Sequence, residues 1–152
     1  MSKLSHYSDS GGRAQMVDVS AKSDTLRTAR AHAFVRIKPE VLAQLPDNPK
    51  GNPLEVARFA AIMAAKKTSE LIPMCHPLPL TYVDCDVRVE AHGVRIETEA
   101  RTTAGTGVEM EALTAASVAA LTVYDMTKAT TSRSKFRTST CSVKPVARAA
   151  TT

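Results

Sequence analysis

Apolar and polar residues alternate one for one in four stretches of this chain and recur at helical spacing in three others. Met16–Lys22 (MVDVSAK) and Ala29–Ile37 (ARAHAFVRI) predict two strands, the second with Ala31, Ala33, Val35 and Ile37 on one face. Thr81–Glu90 (TYVDCDVRVE) sets Val83, Cys85, Val87 and Val89 against Asp84, Asp86, Arg88 and Glu90. After Ala91-His92-Gly93 the pattern resumes, with Val94, Ile96, Thr98 and Ala100 opposed by Arg95, Glu97, Glu99 and Arg101. The two runs predict an antiparallel hairpin with one apolar and one charged face, so its helices belong on one side only.

The helical stretches carry their own start signals. Pro39–Leu45 suits a short helix begun by proline. Asn52 as N-cap and Pro53 as first residue open a long helix, through Val56, Phe59, Ala60, Met63 and Lys67, to about Glu70. Prolines 73, 77 and 79 then hold LIPMCHPLPL extended. The third stretch, Gly105–Lys128, begins with a two-glycine turn and places Glu109 and Glu111 where the helix dipole favours negative charge. From Ala112 to Tyr124 it has no charged side chain, and its Thr114, Ser117 and Thr122 hydroxyls can return to the helix backbone. A helix apolar on every side needs cover on every side, by its own sheet and by a second element or subunit, which predicts a homo-oligomer. The order helix, strand, strand, helix makes the fold class α+β: a ferredoxin-like antiparallel sheet with two long helices packed on one face.

Composition narrows the classes of function. A chain of 152 residues, 43% hydrophobic, suits one domain with a genuine core. No run reaches membrane-span length and the N-terminus lacks the apolar core of a secretory signal, so a cytoplasmic protein without a membrane is expected. Cys75, Cys85 and Cys141 are odd in number and have no C-x-x-C spacing, which argues against a disulfide framework or a zinc knuckle. The net charge of +5 comes entirely from Arg133, Lys135, Arg137, Lys144 and Arg148, so residues 1–128 are neutral overall. Aromatic content is 4%, and Tyr82 is the one ring on either hairpin strand, so a small basic module binding RNA through its sheet is a weak alternative and no nucleic acid is expected.

Candidate chemistry gathers at the ends of the long helices. Asp125 and Lys128, three apart, share one helix face; the plain reading is an ion pair closing the last turn, the sharper one a site. Glu111 and Asp125 stand about 21 Å apart at roughly 1.5 Å per residue, so one helix cannot aim both at one atom. They serve either the two ends of an extended substrate or different copies of the chain. Lys50 flanks the start of the first long helix and Lys66 and Lys67 its end, where a cation is favoured in any case. Cys75 and His76 lie on the proline-stiffened ribbon, where a buried inert thiol and a hydrogen-bonded structural histidine are the plain readings.

Two of these stretches carry a resemblance. KKTSELIPMCHPLPL (66–80) and TGVEMEALTAASVAALTVYDMTKA (106–129) resemble the molybdenum-cofactor biosynthesis protein C family, the cyclic pyranopterin monophosphate synthases, over about Met16–Ala129. The resemblance implies a ferredoxin-like hexamer, a trimer of dimers with sites between subunits. Its members are phosphorus–oxygen lyases that convert a cyclic dihydro derivative of GTP to cyclic pyranopterin monophosphate, releasing pyrophosphate. Carried over by residue, the resemblance makes Asp125 the catalytic acid/base, joined by Lys128 and Lys66. It sets Met74, Cys75, His76, Met110, Glu111, Glu109 and Lys50 against the substrate, with the lysines meeting a triphosphate. No redox cofactor is implied, and Mg²⁺ would come only with the phosphates.

The domain plan is then a mobile lead-in over 1–15, a synthase domain over 16–129 and an atypical basic tail, expected to be disordered, over 130–152. In that tail the resemblance would place an aliphatic strand and a Gly-Gly-Lys-Ser-Gly loop, whereas residues 130–152 contain no Leu, Ile or Gly. With suitable codons the neighbouring reading frame over Val146–Ala150 spells that loop, so a frame slip would account for the departure. A catalytically impaired relative, kept for its assembly contacts, is the corresponding alternative.

Overall fold

The computed structural model describes residues 12–131 and 144–146. Most of the expected lead-in and tail therefore lies outside the described residues. In order the elements are β1 (Thr25–Arg36), α1 (Pro39–Leu42), α2 (Pro53–Lys66), α3 (Thr68–Leu71), β2 (Leu80–Glu90), β3 (Gly93–Ala104), α4 (Glu109–Thr127) and β4 (Lys144–Val146). The strands form one antiparallel sheet in the order β2-β3-β1-β4. With α2 before the β2–β3 hairpin and α4 after it, this is the split β-α-β plan of a ferredoxin-like α+β fold.

Alternation decides which sheet face is covered. Along β1, Ala29, Ala31, Ala33 and Val35 are buried, and along β3, Val94, Ile96, Thr98, Ala100, Thr102 and Ala104 are buried. Their neighbours Arg95, Glu97, Glu99 and Arg101 stand on the open face, where Glu99 pairs with both Arg30 and Arg101 and Glu97 with Arg88. The apolar face of β2 is less well covered: Cys85 is buried, Val83 and Val87 are half-buried and Val89 is exposed. Burial pushes the Cys85 thiol up to about 12, so it is an inert packing group.

Over the apolar face lie α2 and α4, side by side and antiparallel, since the start of α2 meets the end of α4 through Asn48 Nδ2 donating to the Met126 carbonyl at 2.7 Å. Alanine makes this close approach possible. Ala57 and Ala61 on α2 and Ala115, Ala116 and Ala119 on α4 are wholly buried. Thr98 Oγ1 ties sheet to helix by donating to the Ala112 carbonyl at 2.8 Å. The all-apolar character of α4 is thus accounted for on two sides, by sheet and by α2. The larger apolar residues of α2 point the other way: Val56, Phe59 and Met63 are 41%, 65% and 56% exposed.

Two expectations need correction. Met16–Lys22 is not a strand, although it alternates like one. Asp18 Oδ1 accepts from both the backbone N–H and the hydroxyl of Ser20, and Lys22 N–H donates to Val19 O, so a local turn captures the backbone groups a ladder would need. The first long helix also stops at Lys66 and not near Glu70. Thr68 Oγ1 donates to the carbonyls of Ala64 and Ala65, terminating α2 and allowing the chain to restart as α3.

Candidate active site

The residues singled out from the sequence gather into two groups, one at each end of α4. At its C-terminal end the turn Asn48–Gly51 folds over the helix. Asn48 Oδ1 accepts from Lys50 N–H at 2.9 Å, and Gly51 takes φ +98°, a conformation that favours glycine. The turn delivers Lys50 to the last carbonyls of α4, where its Nζ donates to Asp125 O at 3.1 Å and lies 3.4 Å from Asp125 Oδ2. From the other side Lys128 Nζ reaches Asp125 Oδ1 at 2.5 Å, as the three-residue spacing requires. Lys128 and then Lys50 hold the Asp125 carboxyl below the ordinary aspartate range, and Asp125 in turn raises Lys128. The group therefore consists of one ionised carboxylate between two ammonium ions, all solvent-accessible: an anion-attracting site with a proton acceptor at its centre.

At the N-terminal end of α4 three segments enclose a cavity of about 280 Å³. The ribbon supplies Met74, Cys75, His76 and Leu78, the glycine turn and first helical turn supply Thr106, Gly107, Glu109, Met110 and Glu111, and the N-terminal segment supplies Val17, Val19 and Lys22. The ribbon is fixed to the sheet by Thr102 Oγ1 donating to Pro79 O at 2.8 Å. His76 Nε2 donates to Val17 O at 2.7 Å, which seats the N-terminal segment and leaves Nδ1 as the ring's second nitrogen. The Glu109 carboxylate folds over Gly107, into the space a Cβ there would occupy. Glu111 is buried and Met110 partly exposed. Burial pushes the Glu111 carboxyl above the usual range, with the Glu109 charge adding to the shift, and burial followed by the Glu111 charge raises the Cys75 thiol.

Asp125, Lys128 and Lys50 are thus brought together, and so are Met74, Cys75, His76, Glu109, Met110 and Glu111. Lys66 joins neither contact set. It ends α2, exposed, and because α2 and α4 are antiparallel it stands toward the Glu111 end and away from Asp125. Sequence reading missed Lys22 and Asn48, whose signals were the Asp-x-Ser and Asn-Pro-Lys-Gly turn patterns at 18–20 and 48–51. Among the described residues no cluster of three His, Cys, Asp or Glu is placed to hold a metal ion, and no helix is long and apolar enough to cross a membrane.

Fold and site together define a small ferredoxin-like protein that combines a lysine-flanked carboxylate with a compact, carboxylate-bearing pocket. Known proteins make the class specific. The profile of the MoaC family matches residues 16–145, and the chain belongs to that family. A cyclic pyranopterin monophosphate synthase from Roseiflexus sp. (strain RS-1) is 58% identical over 133 residues, covering 85% of this chain and 84% of the relative. Proteins of the same name from Desulfatibacillum aliphaticivorans and Corynebacterium glutamicum (strain R) are 58% identical over 132 residues and 56% over 131, covering 84% and 85% of this chain and 82% and 83% of theirs.

Proposed function

We propose that this chain is a cyclic pyranopterin monophosphate synthase, a lyase of molybdenum cofactor biosynthesis that converts the cyclic dihydro derivative of GTP to cyclic pyranopterin monophosphate and pyrophosphate. The observation that carries the reading is the Asp125 carboxylate set between Lys50 and Lys128. Arriving phosphate oxygens compete with Asp125 for both ammonium groups. As the lysines turn to phosphate, Asp125 loses the cations that depress its pKa and becomes a stronger proton acceptor, so substrate binding and base activation are coupled. Lys128, an ammonium beside it, would give up a proton and regain it, and the ammonium groups would favour departure of pyrophosphate. Lys66 would add a cation from the other end of the helix pair.

Asp125 and Glu111 lie about 21 Å apart along α4, at roughly 1.5 Å per residue, which supports a site completed between copies of the chain. A homo-hexamer, arranged as a trimer of dimers in the cytoplasm, fits that requirement. No resident cofactor is needed, and any Mg²⁺ would accompany the phosphates as part of the substrate. The composition of 130–152 favours one second reading, a family member impaired in turnover.

One assay decides between them. The purified full chain, given the cyclic dihydro-GTP derivative, is expected to release pyrophosphate and form cyclic pyranopterin monophosphate. Asp125→Asn, folded and of unchanged size, is expected to be slower by about 10²-fold or more. A wild-type chain that binds the derivative without turning it over would establish the impaired reading, and full activity in Asp125→Asn would remove Asp125 from the chemistry.

A further inference from the structure

Lys50 meets Asp125 across 75 residues of chain, and its side chain alone does not explain why it stays there. Both side chains are exposed, and their ion pair is long, at 3.4 Å. Such a pair at the end of a flexible four-carbon stem contributes little by itself. The anchor lies two residues back. Asn48 is half-buried between exposed Asp47 and Pro49, and its backbone and side chain are both engaged. Its N–H donates to Leu45 O at 3.3 Å, and its carbonyl accepts from Gly51 N–H at 3.0 Å, closing the turn over Pro49 and Lys50. Its Oδ1 accepts from Lys50 N–H at 2.9 Å while its Nδ2 donates to Met126 O at 2.7 Å. Pro49 stiffens the arrangement by holding Asn48 extended, at ψ 123°. The far side of the contact is a helix terminus, whose last four carbonyls have no partner within the helix. In α4 these belong to Tyr124–Thr127. Tyr124 O accepts from the Lys128 N–H, and the turn takes the next two, Asp125 O through Lys50 Nζ and Met126 O through Asn48 Nδ2. The Asn48 amide thus clamps turn to helix at the residue next to Asp125. Without it the Met126 carbonyl stands open beside that of Asp125, and an ammonium with three donors settles on the two carbonyls and leaves the carboxylate.

We infer that Asn48 is a positioning residue for the proposed reaction: by capping the Met126 carbonyl and holding the Lys50 N–H, it sets the Lys50 ammonium beside the Asp125 carboxylate, where an arriving phosphate can draw it away. The inference rests on the proposed function for the reaction and goes beyond it in assigning a role to a residue that acts through Lys50 and not on the substrate itself. The clamp is neutral, so it fixes the lysine without competing for its charge.

The test is a double-mutant cycle between Asn48→Ser and Lys50→Ala in the full chain. Serine keeps a short oxygen to accept from the Lys50 N–H but cannot span to Met126, so it removes the clamp and leaves the turn. Asn48→Ser is expected to lower kcat/KM for the cyclic dihydro-GTP derivative by about threefold to tenfold, the range of one hydrogen bond. In the Lys50→Ala background the same change is expected to cost less than about twofold. Carboxyl NMR of Asp125 gives a readout independent of turnover. Asn48→Ser is expected to raise the Asp125 titration midpoint toward the ordinary aspartate range, and to have no further effect once Lys50 is alanine and Lys128 is the cation left beside it. An equal fold-loss in both backgrounds would make Asn48 a merely structural residue and overturn the assignment. So would an Asp125 midpoint that Asn48→Ser leaves unmoved. The two levels separate cleanly: a wild-type chain without turnover that shows the NMR coupling sinks the proposed function and upholds the action of Asn48 on Lys50, whereas an active enzyme without the coupling sinks this inference alone.

Discussion

At Glu111 and Asp125 the same functional group is driven in opposite directions by its surroundings. Asp125 is exposed between two ammonium ions that lower its pKa, whereas Glu111 is enclosed and its proton is held more tightly than in a free glutamate. For Glu111 the folded pKa is raised, so its contribution to stability is present in full below the unfolded value of 4.5 and is lost as pH rises through the folded pKa. Replacing the carboxylate by a neutral isostere removes that loss. Glu111→Gln is therefore expected to unfold at higher urea than wild type at pH 7, by about 1–3 kcal/mol in free energy, with the gap closing toward pH 4. A gap that stays constant from pH 4 to pH 7 would mean that the carboxylate charge is not what costs stability. Gaining stability while losing turnover would mark Glu111 as a residue kept for function at a cost to the fold.

Elements here are held together by small residues. Ala57, Ala61, Ala115, Ala116 and Ala119 let α2 and α4 approach closely enough for Asn48 and Lys50 to reach the end of α4, so helix spacing sets the geometry around Asp125. Ala119→Leu, at a position with no exposure, is expected to destabilise the fold by about 1–3 kcal/mol through overpacking. By displacing α4 from α2 it is also expected to weaken the Lys50–Asp125 contact, lowering activity more than the stability loss explains. Chemical denaturation together with turnover at a temperature where the variant is fully folded checks both, and an unaltered denaturation midpoint would show that the helices can part without strain. The hairpin and its faces were legible in the sequence because a period of two has few other readings. The failed strand at Met16–Lys22 had the same period, but its polar positions were Asp18 and Ser20, which bond to each other's neighbourhood and form a turn.

For the molecule as a whole, the outer face of the helix layer is unlike the open face of the sheet. The sheet face is a lattice of charged pairs, while Val56, Phe59 and Met63 form an exposed apolar ridge along α2, with Leu121 exposed on α4. An apolar ridge of this kind is characteristic of a subunit contact. Under the proposed hexamer, Phe59→Asp is expected to lower the mass seen by analytical ultracentrifugation and to lower turnover with it, because sites completed between copies would be lost. A wild-type chain that sediments as a monomer yet turns over substrate would refute the shared site.

The local code of this chain was sufficient for its fold class, for the two faces of the hairpin and for the Asn52 N-cap of the first long helix, since each depends on periodicity or on residues within one turn. It was also enough to pair Asp125 with Lys128, three residues apart on one helix. Only the tertiary structure decided that Lys50 completes that pair from 75 residues away, that Lys66 stands at the opposite end, and that Lys22 lines the cavity with His76 and Glu111. The reason is physical: spacing along the chain determines neighbours within an element, whereas the company a charged group keeps across elements is determined by how the elements pack.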